Sequence, residues 1–585
     1  MSKYINIVKD HITFYTMVVR DLFGVSKSRT IIMLVMSIVL PFVSVVELEL
    51  NRYIVDQASG ESPIDEQWFK RIIGFVLLSA TAILCFTLAR SIVNIINNRF
   101  AKKVIMKKKG EFLTKISRVS YECFENADFH QKIWIAGQAP DKYIHTISYI
   151  SSFISTALYF VIYSIMLVRI NFIFVFLLII TLIVYMWVQK RNSNKWEDYY
   201  DHLLAPEERM SSYFEDILAN RVNHSTIQIN RLLPFFLGKY EKHADNERKF
   251  RLKINILSYL TEIAMSVIFL TMMIVMLSYT ATGVIHQDMS IGSYTLMISV
   301  MMELFVLFNV LTDQIFSEKE HMKFIKTYHE IMELSDDNGP EIEQNTGILA
   351  VKDICYRYPQ AQAYALDRVT CEFRQGEKIA LVGLNGSGKT TFVHVLMGLL
   401  NCNSGFCSNG VGSTVAIMQD FQSYQLTVKE NIEIGQRGVP MNDDEVWELL
   451  KKVELFEYIK SLPDGIHTKI GQLEDGVELS KGQFQRLALA RMLANQDAKV
   501  WILDEPTAFL DPISEIKMYE HILSLAGDRL VFFISHRLGF AKKADRIMVM
   551  GDGTVVEIGT HDELMEKENG VYRTMYDSQC AWYVS

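Results

Sequence analysis

The chain has 585 residues, too many for one hydrophobic core, so it must divide into at least two domains. Half of the residues are hydrophobic, only 22% are charged and mean hydropathy is +0.13, which excludes a disordered chain and argues for membrane segments. A net charge of -8 without a basic domain sets aside nucleic-acid binding.

The seven cysteines (Cys85, Cys123, Cys355, Cys371, Cys402, Cys407 and Cys580) have neither disulfide-framework nor metal-ligand spacing and fit a reducing compartment. Lys3, Lys9, Arg20, Lys27 and Arg29 interrupt the first 30 residues, so no cleaved secretion signal is expected and the N-terminus is expected in the cytosol. Six apolar segments then follow, each long enough to approach the ~20 residues that cross a bilayer. They are Ile31 to Leu50, Ile72 to Val93, Ile147 to Val168, Phe172 to Val188, Ile254 to Leu277 and Ile291 to Leu311. Phe172 to Trp187 has no charged residue and no polar face, which argues against buried helices of a water-soluble core.

The connecting segments alternate in charge as cytoplasmic and outer loops should. The segment after the second span carries Arg99, Lys102, Lys103, Lys107, Lys108, Lys109, Lys115 and Arg118. The segment after the fourth carries Lys190, Arg191, Lys195, Arg209, Arg231 and Lys239 among others. Both are expected inside. The first loop is acidic (Glu47, Glu49, Asp56, Glu61, Asp65, Glu66), the third is little more than Arg169 to Asn171, and Tyr279 to Ser290 has no Lys or Arg. Those three are expected outside. Both inner loops keep a helical apolar period and are expected to prolong the membrane helices, with tips that could touch a cytosolic domain.

Two ionisable residues interrupt the spans. Glu303 sits near the middle of the sixth, where a charge costs roughly 2.5 to 3.5 kcal/mol, and Glu262 lies near the inner end of the fifth. They are candidate contacts for a cationic substrate, the alternative being a packing or interhelical hydrogen bond. Pro41 in the first span is compatible with a kink.

A charged amphipathic stretch, Ser317 to Leu334, leads into the breaker-rich Ser335 to Pro340. The expected division is therefore a membrane domain over 1–316, a linker over 317–346 and a water-soluble α/β domain over 347–585, where short β-branched strands alternate with helical patterns. In that domain the strand Lys378 to Val382 runs into Gly383-Leu-Asn-Gly-Ser-Gly-Lys-Thr-Thr391, a full phosphate-binding loop. Gly383, Asn385, Gly386, Ser387, Gly388 and Thr391 belong to the cradle, Lys389 is expected to reach the β and γ phosphates of ATP, and Thr390 to hold Mg²⁺. Val500 to Asp504 supplies the strand-end aspartate that completes the metal site. Glu505 follows as the candidate general base, and the strand Leu530 to Ser535 ends in His536.

Leu479-Ser-Lys-Gly-Gln483 followed by Phe484-Gln-Arg-Leu-Ala-Leu-Ala-Arg491 resembles the signature of the ATP-binding cassette transporters, and the resemblance covers essentially the whole chain. It implies that Ser480, Gly482 and Gln483 close over the γ-phosphate bound by a partner, so that two nucleotides lie in a head-to-tail dimer. It implies an adenine-stacking role for Tyr358, metal and membrane-domain sensing for Gln419, and the roles of D-loop aspartate for Asp511 and switch histidine for His536. The second glycine of the signature is replaced by Lys481.

The domain order resembles an exporter-type half transporter, a membrane α-helical six-span domain fused to an α/β P-loop nucleotide-binding domain, and implies a second half, with intact motifs favouring a homodimer. Tyr121-Glu-Cys-Phe-Glu-Asn-Ala-Asp-Phe-His130 and Gln419-Asp-Phe-Gln-Ser-Tyr-Gln-Leu-Thr-Val-Lys-Glu-Asn431 are similar to stretches of the lantibiotic exporters. That similarity implies export of a modified peptide across a bacterial cytoplasmic membrane, with a peptide-modifying enzyme as a possible partner. It also implies the absence of an N-terminal protease domain, for which little sequence precedes Ile31. Export or flipping of lipids or amphipathic drugs, and an ATP-gated regulator that transports nothing, are the alternatives.

Overall fold

The computed structural model describes residues 2–59, 66–336, 346–359, 361–419, 422–471, 476–506, 512–535 and 538–584. They form two compact units, Met1–Ser117 with Gln131–Leu334, and Arg118–His130 with Ser335–Ser585.

The first unit is helical because an apolar solvent leaves backbone groups no partner outside their own helix. In chain order the helices are α1 (Ser2–Val25), α2 (Lys27–Ser59), α3 (Glu66–Ile116), α4 (Tyr121–Phe124), α5 (Ala127–Ile170), α6 (Phe172–Tyr199), α7 (Ala205–Ala219), α8 (Arg221–Ile229), α9 (Leu233–Ile285) and α10 (Ile291–Met332), of which α4 belongs to the second unit. The six expected spans fall within α2, α3, α5, α6, α9 and α10. Five of these helices are long and apolar enough to cross a membrane, and α6 contributes the shorter apolar stretch Phe172–Tyr185, among the described residues. With 51 and 53 residues, α3 and α9 each run on the order of 75–80 Å, more than twice a hydrocarbon core, so they project well beyond it.

Leu77, Leu84, Phe176, Ile183 and Ile274 are exposed large apolar side chains, an arrangement stable only if lipid covers them. Between helices, polar contacts are few and short. The Ser155 hydroxyl donates to the Ser37 carbonyl at 2.8 Å, the Ser37 and Ser151 hydroxyls lie 2.5 Å apart, and those of Ser44 and Tyr159 lie 3.0 Å apart. Small hydroxyl residues thus join α2 to α5 where no hydrophobic effect drives association. At the start of α10, the Gly292 amide donates to the Asp56 carboxylate at 2.7 Å, an anion against a helix N-terminus.

Beyond the apolar spans a charged cluster ties four helices together. The Tyr143 hydroxyl of α5 donates to the Asp21 carboxylate of α1 at 2.6 Å, and the same carboxylate meets His329 Nε2 of α10 at 3.0 Å and Lys108 Nζ of α3 at 3.1 Å. Burial alone would raise the Asp21 carboxyl, but hydrogen bonds from His329 and Tyr143 and the Lys108 charge outweigh it and hold the group at about 2. The charged amphipathic stretch from residue 317 is helical to Met332. Phe324, Ile325, Tyr328 and Ile331 recur at helical spacing and are buried in the same core as Phe14, Val18 and Tyr143.

In the second unit, β1 (Ile348–Tyr356), β2 (Leu366–Arg374) and β4 (Ser404–Asn409) make an antiparallel sheet ordered β2-β1-β4. A six-stranded sheet, ordered β5-β6-β7-β3-β8-β9, uses β3 (Lys378–Gly383), β5 (Thr414–Ile417), β6 (Val500–Asp504), β7 (Leu530–Ile534), β8 (Arg546–Gly551) and β9 (Thr554–Gly559). Its central strands are parallel, and every residue of β6 and β7 is buried, which is why both read as continuous apolar runs. The helices α11 (Lys389–Leu396), α12 (Val428–Glu433), α13 (Asp443–Lys452), α14 (Phe456–Lys460) and α15 (Lys481–Ala494) complete the part that matters for the site. Arg491 of α15 donates to the Asn431 carbonyl at 3.0 Å and its side-chain oxygen at 2.8 Å, binding α15 to α12.

Replacing Asp21 with Asn should lower the stability of the membrane unit by about 2 kcal/mol, the scale of hydrogen bonds to a charged group, read as a drop in thermal midpoint at pH 7. Because the folded carboxyl titrates below its unfolded value of 3.8, the stabilisation is present above pH 3.8 and is lost as pH falls toward about 2, so the two proteins should converge there.

Candidate functional site

The P-loop connects β3 to α11, and Asn385 to Thr391 line an open cleft with Tyr358, Ala365, Gln419, Asp504, Glu505 and Ile534. Strand-to-helix geometry demands left-handed backbone in the loop, with Gly386 at φ +79° and Gly388 at φ +97°. A Cβ on Gly388 would also stand 2.6 Å from the Ala365 carbonyl oxygen. The Lys389 ammonium is buried and donates to the carbonyls of Gly383 and Leu384, each at 2.9 Å. Burial pushes its pKa down, against the pull of Asp504 and Glu505.

Asp504 ends β6 on the floor of the cleft and is buried. Burial, then the neighbouring Glu505 charge, push its carboxyl up to about 6, with Lys389 opposing. Glu505 adopts φ +49°, a conformation that costs a non-glycine residue on the order of 1–3 kcal/mol. Its amide donates to the Ile534 carbonyl at 3.0 Å, and the Gln419 amide donates to its carboxylate at 3.1 Å. The Tyr358 ring is held by a 3.1 Å contact between its hydroxyl and that of Thr391. The arrangement offers buried cationic and backbone donors to an anion at one end, and an aromatic face at the other.

Two matching family models bear on this geometry, the ABC transporter transmembrane region over residues 135–308 and ABC transporter over residues 366–508. The chain belongs to the ATP-binding cassette transporters. Its relatives within the transporters include the subtilin transport ATP-binding protein SpaT of Bacillus subtilis, 30% identical over 66% of this chain and 65% of that protein. The nisin transport ATP-binding protein NisT of Lactococcus lactis subsp. lactis is 28% identical over 64% of this chain and 65% of its own. The matched part of the transporter thus spans about two thirds of the length of either relative. An ATP-dependent lipid A-core flippase of Photobacterium profundum is 30% identical over 58% of the chain and 60% of its own. The solved structure of a bacterial Atm1-family ABC exporter with ATP bound shares the fold, with a TM-score of 0.80 over 96% of this chain and 98% of its own, at 18% identity.

The cleft of the transporter gathers Tyr358, the P-loop residues, Gln419, Asp504 and Glu505. Ser480, Gly482 and Gln483 are not among its lining residues. Ser480 instead caps α15, its hydroxyl accepting from the Gln483 amide at 3.3 Å while the Gln483 side chain accepts from the Ser480 amide at 2.8 Å. Lys481, the departure from the signature, is exposed at the first position of α15. Asp511 and His536 lie outside the described residues.

Glu262 lines a separate small cleft in the membrane unit, with Thr181, Tyr185, Ser266 and Phe305 among its neighbours. Glu303 is exposed on α10 and is not among the residues lining that cleft. Sequence reasoning did not assign a nucleotide-site role to Arg118–His130, which belongs to the second unit. Its Tyr121 meets the ring of His394, on the P-loop helix α11, edge-on at 5.6 Å. The available signal was the dense aromatic and acidic composition of Tyr121 to His130.

Gly388→Ala should cost the nucleotide-binding unit about 2 kcal/mol through left-handed strain and the Ala365 contact, and should weaken ATP binding. Thermal unfolding with and without ATP measures both effects, and both should be smaller for Gly438→Ala, a left-handed glycine with no atom within 4 Å of its Cβ position.

Proposed function

We propose that the chain is an ATP-driven exporter of a cationic, modified peptide, working as a homodimer of half transporters in the cytoplasmic membrane of a bacterium, with the N-terminus and the nucleotide-binding unit in the cytosol. The observation that carries this reading is a cleft whose lining lacks the chain's own signature residues, in a chain whose described residues also hold five helices long and apolar enough to cross a membrane and a sixth, shorter apolar one. A signature that does not line its own cleft is free to complete that of a second copy. The Lys and Arg excess of the two inner loops supports the orientation.

In this reading the P-loop amides and Lys389 bind the phosphates, and Tyr358 stacks on the base. Thr390, Gln419 and Asp504 suit Mg²⁺, since burial has made the Asp504 carboxylate costly and a divalent cation would relieve that cost. Bound there, the ion would supply charge neutralisation to the triphosphate. Glu505, its carboxylate steadied by the Gln419 amide, takes the proton of the attacking water. Its left-handed backbone is consistent with a residue held for function rather than for local stability. Asp511 and His536 take the family's roles at the same site. The closed dimer binds ATP more tightly than the open one, and that difference is all that can drive the membrane halves between states. Hydrolysis removes it.

The peptide assignment is supported by the subtilin and nisin transport relatives and by acidic Glu303 and Glu262 within the membrane unit. A lipid substrate is the second reading, supported by the flippase relative at comparable identity. The test is ATPase activity in nanodiscs with a leader-bearing cationic peptide or with lipids as additives. Peptide should stimulate the wild type, Glu505→Gln should lose at least about 100-fold of hydrolysis while still binding ATP, and Glu303→Lys should keep basal hydrolysis but lose the response to peptide. Stimulation by lipid alone would shift the assignment to the second reading, and hydrolysis without uptake of either into inverted vesicles would favour a regulator.

A further inference from the structure

The aromatic wall of the phosphate cleft has a second side. Tyr358 also lines an adjoining open groove, together with Arg357, Gln362, Asn403 and Glu122. Glu122 arrives from α4, which belongs to the same compact unit, and it is the only carboxylate among the lining residues. The parts that surround this groove are fixed. The Tyr358 ring is braced by its hydroxyl contact with Thr391 and by the edge of Tyr356 at 5.1 Å between centroids. The Arg357 amide donates to the Asn403 side-chain oxygen at 2.7 Å, and the Arg357 guanidinium lies over the Tyr364 ring at 5.6 Å. On the other side, α4 is held by the edge-on contact of Tyr121 with His394. Glu122 itself is half-buried, and its carboxylate accepts no hydrogen bond from a described residue.

Because Tyr358 lines both the P-loop cleft and this groove, a base stacked on its ring in the proposed nucleotide role, with its phosphates at the P-loop, would turn its outer edge toward Glu122. The edge of adenine carries an exocyclic amino donor, whereas a 6-oxo purine carries an acceptor at the same place. An ionised carboxylate can only accept. It therefore favours the amino group and repels the oxo group, and a site built to hydrogen-bond one polar group discriminates best against the analogue that lacks it. We propose that Glu122 is a specificity-determining residue of the nucleotide site, accepting a hydrogen bond from the exocyclic amino group of adenine and so selecting ATP over purine nucleotides without that donor. The selection rests on the proposed nucleotide-binding role of the cleft. It makes base recognition depend on a segment lying between two long helices of the membrane unit, α3 and α5.

The test is equilibrium binding to the full-length protein in nanodiscs, in a Glu505→Gln background so that nothing is hydrolysed. The probes are ATP, purine riboside triphosphate, which lacks only the 6-amino group, and GTP. With Glu122 present, ATP should bind roughly tenfold more tightly than purine riboside triphosphate, the scale of one charge-assisted hydrogen bond at a half-exposed site. Glu122→Ala should bind the two with equal affinity and should gain relative affinity for GTP, while purine riboside triphosphate itself binds as well as before. Equal affinities before any change at Glu122 would overturn the proposal without need of a variant, and so would a Glu122→Ala protein that still discriminates tenfold. If none of the three nucleotides binds even with Glu122 present, the nucleotide role of the cleft fails, and the proposal with it.

Discussion

A buried ammonium held among backbone carbonyls and facing two carboxylates is the interaction on which the rest of this protein depends. Lys389 has lost most of its water, and its hydrogen bonds to the Gly383 and Leu384 carbonyls replace that water only in part. Asp504 is buried as well, beside the Glu505 charge, so the floor of the cleft carries a cost that an anion with a divalent cation would relieve. The surrounding fold serves to hold these groups in place. The fully buried strands β6 and β7 fix Asp504 and Glu505, and the left-handed glycines of the loop turn the P-loop helix toward them.

The membrane unit answers a different constraint. Its helices expose large apolar side chains that only lipid can cover, and they recognise one another through small hydroxyl residues rather than through burial from water. Where the helices leave the apolar zone, charge returns as a connected network, with Asp21, Lys108, Tyr143 and His329 joining α1 to three long helices. The N-terminal helix is thereby fastened to three of the long helices of the unit.

Much of this was legible from residue patterns because the physics behind it is local. Spans such as Ile147 to Val168 declare themselves by composition, and the P-loop by the need for glycine where φ is positive. The Asp504-Glu505 pair was findable since Asp504 ends an apolar strand and Glu505 follows it. Other features depend on contacts distant in sequence. The amphipathic stretch through residue 332 showed its apolar stripe of Phe324, Tyr328 and Ile331 but not what covers it, which is a core shared with α1 and α5. Glu122 lies 236 positions before Tyr358, and nothing local in Tyr121 to Phe124 says that this short helix packs with the nucleotide-binding unit. The capping of α15 by Ser480 was implicit in the Ser-x-x-Gln spacing, a pattern that serves helix initiation as readily as a ligand.

The central claim, that the cleft is built around the bond between Lys389 and the phosphates of a nucleotide, is tested most directly by equilibrium binding of ATP with Mg²⁺ to the purified protein in nanodiscs, wild type beside Lys389→Met. The account predicts saturable binding by the wild type and a loss of about 100-fold in affinity for the variant, because the buried charge that meets the phosphates is gone while the loop remains. An affinity for ATP unchanged by the substitution would contradict it.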